Sequence, residues 1–343
     1  MTALLGSWLV AGLFLDGWAH LSMRPEDFLT PWHGALYSGF AFSAWWALSQ
    51  VGKGRGRGLV GRAAVPVGYG LGLVGVAIFL VGGLADFAWH SIFGIEVGLE
   101  ALLSPSHLLL FAGGVLVLTS PIRSGLRTLS ERPSFAELLP GLLSLSLVSA
   151  VVIFFLMYLS PFLTTSPSPG PYRDLARAVS DHGLREELAD QIRIRGVASI
   201  LVTTLALIGP SLVLLRRFRL PFGSITLLFG LVGLLVAGLD GFEHREGAVV
   251  MALAGVCGDL LARLVATDRR PWALWAFGGA VPVVLWTLYF WALAAARNLE
   301  WSVELWAGTI CLSGMAGFAL ALVVAPPGRP VVLDRGREGP DPT

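Results

Sequence analysis

The chain of 343 residues is 55% hydrophobic and only 14% charged, and its formal net charge at pH 7 is +1. Soluble globular proteins carry about 25% charged residues, so this composition excludes a soluble domain and indicates a polytopic membrane protein in contact with the lipid bilayer. The basic residues are scattered through short loops, which excludes a nucleic-acid-binding surface. The two cysteines lie in apolar runs and form no disulfide framework.

Ten apolar segments approach the length that a membrane-spanning helix needs, about 17–25 residues. We therefore predict an all-α fold, a polytopic membrane helical bundle of about ten transmembrane helices. The segments lie near residues 1–18, 33–51, 64–86, 101–119, 139–163, 196–215, 222–240, 248–267, 272–296 and 303–325.

Arginine and lysine concentrate in alternate connections of this predicted bundle. By the positive-inside rule, these connections and both termini are cytoplasmic, and the remaining connections are external in a multi-pass protein of the cell membrane. One predicted external connection, residues 164–195, is long and carries charges of both signs. The basic groups are Lys53, Arg55, Arg57 and Arg62; Arg123, Arg127 and Arg132; Arg216, Arg217 and Arg219; Arg269 and Arg270; and Arg329, Arg335 and Arg337.

A first polar constellation lies where the first apolar segment ends. Asp16 and His20 are four residues apart and share one face of a helix, and His33 opens the next segment in the pattern Asp-x3-His-x12-His. Two imidazoles and a carboxylate form a ligand set for a borderline divalent metal. Copper, zinc and iron all remain open from ligand type alone.

A second constellation repeats this order one hairpin later. Asp86 and His90 are again four residues apart, and a Pro-x-His sequence ending at His107 opens the returning segment. Glu96 and Glu100 lie between the two parts of the motif. These two residues are either additional ligands or proton carriers, or they are exposed loop carboxylates.

A third version of the motif begins at Asp240 and His244. Aligning these residues with the first motif places Cys257 at the position of His33, and a thiolate there would favour copper(I) or zinc. The alternative is that the polar groups only cap helix ends. We predict from this match an internal duplication, in which helices 7–10 are a diverged copy of helices 1–4.

These observations predict four units along the chain, and all three constellations fall on the predicted external side. Ionisable residues at membrane depth cost roughly 2.5 kcal/mol or more each, so their presence there favours a functional role. The units are residues 1–120, a metal-binding four-helix repeat; 121–221, a helical pair that carries the external loop 164–195; 222–325, the diverged second repeat; and 326–343, a disordered cytoplasmic tail.

At these residues the chain resembles the metal-site membrane subunit of the particulate methane and ammonia monooxygenases, the membrane copper monooxygenase family. The family's first motif, Asp-x3-His-x12-His with Thr-Pro-x-His at its end, is matched in full from Asp16 to His33. Its second motif, Asn-x3-His followed by Pro-x-His, is matched at His90 and His107, with Asp86 in place of the Asn and a longer gap between the histidines. The resemblance covers about residues 10–120 and implies copper as cofactor and other membrane subunits as partners.

Two functions are consistent with this sequence. In the first, copper held by Asp16, His20 and His33 activates oxygen for attack on a small apolar substrate, and a partner supplies electrons because no haem, flavin or iron–sulfur motif is present. In the second, the chain takes up, stores or relays copper without catalysis. A zinc- or iron-dependent membrane hydrolase or oxygenase would use the same ligands, so the sequence leaves open whether the chain is an enzyme.

Overall fold

The computed structural model describes residues 1–22, 24, 30–94, 98–265 and 271–327. Every regular element in these ranges is helical, and eight helices are long and apolar enough to cross a membrane, which confirms the predicted all-α membrane bundle. The α-helices are α1 Thr2–Leu21, α2 Pro31–Gly56, α3 Gly70–Phe93, α4 Leu99–Leu103, α5 Pro105–Leu118, α6 Ser120–Thr128, α7 Phe135–Phe155, α8 Pro161–Thr164, α9 Pro169–Ala178, α10 His182–Arg217, α11 Ser224–Leu239, α12 Glu246–Val265, α13 Pro271–Ala295 and α14 Val303–Val324.

Each of the ten predicted segments overlaps one main helix, and the fourth, 101–119, overlaps α5, which continues into α6 as a single candidate span, Pro105–Thr128. Two of these ten helices fall outside the eight candidate spans. Helix α11 has only 16 residues, and α2 is rich in glycine, serine and tryptophan. The predicted external connection begins at the end of α8 and holds α9 and the first turns of α10. Helix α10 has 36 residues, and Asp181 caps it by accepting the backbone N–H of Leu184 at 2.7 Å.

The long helices pack mainly as sequential hairpins. Helix α1 packs against α2, α3 against α5, α11 against α12, and α13 against α14, while α7 contacts α1, α5, α10 and α11. The most deeply buried side chains come from α7, α10, α11 and α13, so the core is built by α7 and α10 together with one helix from each of the last two hairpins. They include Leu138, Leu142, Ile200, Leu207, Leu228, Phe229, Phe277 and Trp286. The proposed duplication stays a prediction.

Glycines bring the helices of the first two hairpins into backbone contact. A Cβ at Gly12 of α1 would lie 2.6 Å from the backbone nitrogen of Leu36, and one at Gly113 of α5 would lie 2.6 Å from that of Phe79. Any larger residue would push the paired helices apart, as at the small-residue contacts common between membrane helices. These contacts set the spacing of the hairpin ends that carry the Asp and His motifs.

Several predictions concern parts of the chain outside the described residues. They include the possible ligand Glu96, the basic residues Arg269 and Arg270, and the tail beyond residue 327.

Candidate metal sites

The first site lies where α1 ends and α2 begins. Asp16 and His20 are one helical turn apart on α1, and His33 is in the first turn of α2. His20 Nε2 lies 3.6 Å from Asp16 Oδ2, and His33 Nε2 lies 3.4 Å from Asp16 Oδ1. One potential ligand atom from each residue lies within 4.8 Å of the others, so the three could hold a single metal ion.

The second site has the same construction at the equivalent ends of α3 and α5. His90 Nε2 lies 3.5 Å and His107 Nε2 lies 3.2 Å from Asp86 Oδ1, and the potential ligand atoms again lie within 4.8 Å of one another. Asp86 is only 1% exposed. In both hairpins, the structure therefore brings together the Asp and the two His residues that the sequence predicted.

Capping residues orient one imidazole in each site. Thr30 and Ser104 precede the prolines that begin α2 and α5, and each hydroxyl accepts a backbone N–H, from His33 and His107 respectively, at 3.4 Å. The same hydroxyls lie 3.1 Å from Nδ1 of His33 and 2.8 Å from Nδ1 of His107. Because Nδ1 is engaged on the outer side, Nε2 is directed at the carboxylate, as in metal sites whose imidazoles have a second hydrogen-bond partner.

The hydrogen-bond partner of His90 indicates which tautomer its neutral ring adopts. Its Nδ1 lies 3.1 Å from the carbonyl oxygen of Gly94, which can only accept a hydrogen bond. Nδ1 therefore carries the proton, and in the neutral ring Nε2 keeps a lone pair for a metal. Gly94 ends α3 with φ +80°, a conformation that glycine adopts without strain.

The carboxylate of the first site fits a bound cation. Asp16 is 9% exposed, and its Oδ1 is buried without a hydrogen bond. Burying a carboxylate oxygen with no hydrogen bond is costly, and coordination to a metal ion would remove that cost. The donor set of two imidazole nitrogens and one carboxylate suits copper, zinc or iron.

Both sites border one cavity of about 920 Å³ inside the bundle. Asp16, His20 and His33 lie on its wall, as do Asp86 and His107. Most of the remaining wall is aliphatic or aromatic, so the two triads face a largely apolar space. The apolar lining includes Leu9, Val10, Leu13, Leu36, Phe79, Leu102, Leu110, Phe111, Leu118, Val151, Phe154, Phe155 and Leu239.

The third constellation is only partly assembled. His244 Nδ1 lies 2.6 Å from Asp240 Oδ2, so this pair forms as predicted from the four-residue spacing. Cys257 does not join it: within the described part of the chain, the groups of three ligands are the two triads above. Cys257 is a half-buried free thiol.

The position of Cys257 is explained by where α12 begins. This helix starts at Glu246, so Cys257 lies about 17 Å along it at 1.5 Å per residue. Two residues further on, Asp259 accepts the backbone N–H groups of Ile225 at 3.0 Å and Thr226 at 2.9 Å, at the end of α11 remote from Asp240. In the first hairpin, α1 ends at Leu21 and α2 begins only at Pro31. The residue at the same sequence spacing from Asp16, His33, therefore lies in the first turn of a helix.

Four further residues belong to the surroundings of the sites. Tyr37 and Ser106 each donate a hydrogen bond of 3.0 Å to Asp86, and Arg195 and Glu243 line the cavity. A signal for Tyr37 was available, because it follows His33 by one helical turn. Arg195 and Glu243 come from distant segments and had no such signal. The predicted candidate Glu100 is exposed in α4 and belongs to neither triad.

Comparison with protein-family models, with curated proteins and with solved structures finds no match to this chain. The features of the chain that bear on its function are therefore the geometry of the two sites and the cavity that both of them border.

Proposed function

We propose that this chain is a copper-binding integral membrane protein related in function to the metal-site subunit of the membrane copper monooxygenases, and that it activates oxygen toward a small apolar substrate. The observation that carries the proposal is that two Asp-His-His triads border one apolar cavity. A metal ion next to a largely apolar space is the arrangement expected for chemistry on an apolar molecule.

The metal would be held by Asp16, His20 and His33, and a second ion by Asp86, His90 and His107. Copper is favoured over zinc by the resemblance and by its higher affinity for nitrogen and oxygen ligands. When bound, copper would supply the one-electron chemistry that oxygen activation requires. The protein would orient the imidazoles through Thr30 and Ser104 and would exclude water through the apolar wall of the cavity.

The proposed orientation places the triads on the external side of the cell membrane. His33 begins α2 and Lys53 and Arg55 end it, so ligands and basic residues lie at opposite ends of one helix. The N-terminus lies near the basic end of α2, because Trp46 Nε1 of α2 donates a hydrogen bond of 3.0 Å to the Thr2 hydroxyl. Arg216 donates a hydrogen bond of 2.7 Å to the carbonyl oxygen of Val324 at the end of α14. Cytoplasmic termini and external metal sites agree with the positive-inside rule.

Partners form part of the proposal. Oxygen activation consumes electrons, and the sequence carries no haem, flavin or iron–sulfur motif, so another membrane subunit or a separate protein would supply them. The resemblance to the membrane copper monooxygenases likewise implies other membrane subunits as partners.

A second candidate function is the handling of copper without catalysis. It is favoured by a further carboxylate and imidazole pair, Asp240 and His244, because Asp240 also borders the cavity and its Oδ1 is buried without a hydrogen bond. Oxygen consumption that depends on an added alkane and an electron donor would favour catalysis. Copper binding without such consumption in the assembled complex would favour handling.

The test is metal analysis of protein purified from copper-supplemented membranes. We expect about one copper per triad, with one lost in the variant Asp16→Ala, His20→Ala, His33→Ala and the other lost in Asp86→Ala, His90→Ala, His107→Ala. His182→Ala, which removes an exposed histidine at the start of α10, is the control and should keep full copper content. Absence of copper, or a zinc content unaffected by either triple variant, would contradict the proposal.

A further inference from the structure

The carboxylate of the second site is held by two hydroxyl groups besides its histidines. Ser106 Oγ donates to Asp86 Oδ1 at 3.0 Å, and Tyr37 Oη donates to Asp86 Oδ2 at 3.0 Å. Ser106 comes from α5, within the second hairpin, whereas Tyr37 comes from α2, in the first hairpin. Asp86 is therefore fixed by a residue of the hairpin that carries the other site.

The two sites differ in this respect. Asp16 Oδ1 is buried without a hydrogen bond, whereas both oxygens of Asp86 accept a hydrogen bond from a neutral hydroxyl. Hydrogen bonds to a metal-binding carboxylate restrict its orientation and tune its affinity. Tyr37 therefore restrains the carboxylate that would hold a metal ion at the second site.

Tyr37 is placed to respond to the first site as well. It follows His33 by four residues, one turn along the same face of α2, and the centroids of the two rings are 6.3 Å apart. Opposite Tyr37 on α3 stands Gly83, where a Cβ would lie 3.0 Å from Cε1 of the tyrosine ring. The absence of a side chain at Gly83 gives the ring room to reach Asp86.

We infer that Tyr37 is a positioning residue that couples the two metal sites: it holds Asp86 in its ligating orientation and transmits the occupancy of the first site to the second. A metal ion on His33 restrains the first turns of α2, and the restraint reaches Asp86 through the Tyr37 hydroxyl. The inference rests on the proposed function, since it requires that both triads bind metal.

The first experiment is copper binding to the full chain in lipid nanodiscs, measured over a series of buffered free copper concentrations. Tyr37→Phe removes only the hydroxyl and is expected to weaken the second site by about 10–100-fold, while the first site keeps its affinity. Tyr69→Phe is the matched control, because its hydroxyl hydrogen-bonds Thr2 at 2.9 Å at the opposite end of α1. The Asp86→Ala variant identifies which binding step belongs to the second site.

The second experiment is a double-mutant cycle on that second step. With Tyr37 present, His33→Ala should lower second-site affinity at least about fivefold, a coupling typical of linked sites. In the Tyr37→Phe background, the same substitution should leave second-site affinity unchanged.

The outcomes separate the two proposals. Two coppers bound with the same second-site affinity in wild type and Tyr37→Phe would overturn the role of Tyr37 and leave the proposed function standing. An equal effect of His33→Ala in both backgrounds would overturn the coupling. A wild-type chain that binds no copper would overturn the proposed function itself, and this inference with it.

Discussion

Nδ1 of His107 lies 2.8 Å from Oγ of Ser104, the residue that caps the helix on which His107 stands. The same Oγ accepts the backbone N–H of His107 at 3.4 Å. Thr30 has the same two contacts with His33 at the start of α2. In each hairpin, one side chain therefore both begins a helix and orients a ligand, so its loss should affect helix stability and metal binding together.

Ser104→Ala should remove both contacts. Loss of the cap should lower the free energy of unfolding by about 1 kcal/mol. Loss of the hydrogen bond to Nδ1 should weaken copper binding at the second site by about 10–100-fold. Ser134→Ala is the control, since Ser134 caps α7 by accepting the N–H of Glu137 at 3.3 Å and touches no ligand. If both variants retain full copper affinity, Ser104 has no role in orienting His107.

Gly12→Ala should disturb the first site from a distance. Its Cβ would lie 2.6 Å from the Leu36 backbone nitrogen, so α1 and α2 must separate, at a cost of about 1–3 kcal/mol. The separation should also move His20 relative to His33 and lower first-site copper affinity. The measurements are thermal unfolding and copper binding in nanodiscs. Gly52→Ala, at a position on α2 with no atom within 4 Å of the added Cβ, should leave both unchanged or stabilise the helix slightly.

Cys257→Ser should leave copper content unchanged. The thiol lies well along α12 rather than beside Asp240 and His244, so it contributes no ligand to that pair. The check is metal analysis, together with labelling of Cys257 by a thiol reagent in the presence and absence of copper. His33→Ala, measured in parallel, should lose copper. Protection of Cys257 by copper would show that it is a ligand after all.

Gly114→Leu should fill part of the cavity without removing metal. Gly114 lies on the cavity wall, and a Cβ there would meet only the ring of Phe79, at an ordinary contact distance of 3.7 Å. We expect reduced binding of xenon, a small apolar probe of such spaces, followed by NMR, with copper content unchanged. Gly308→Leu, on the exposed face of α14, is the control and should bind xenon as wild type does. Unreduced xenon binding in Gly114→Leu would show that the probe occupies another place.

The sequence by itself determined the helices and the composition of the two triads. Long apolar runs specify membrane-spanning helices, and Asp and His four residues apart must share a helix face, because both properties depend on local geometry. The Thr-Pro-x-His and Ser-Pro-Ser-His runs likewise predicted where α2 and α5 begin. These local signals were sufficient to place Asp16 beside His20 and Asp86 beside His90.

Only the tertiary structure decided how the two motifs are placed relative to each other. The shared cavity and the hydrogen bond from Tyr37 to Asp86 depend on how two hairpins pack, and contacts between helices have no fixed sequence spacing. The same reason explains Cys257, which has the spacing of His33 but lies well inside a helix because α12 begins soon after Asp240. Sequence spacing predicts which residues are close within one helix. Whether two residues on consecutive helices are close depends also on the length of the connection between the helices.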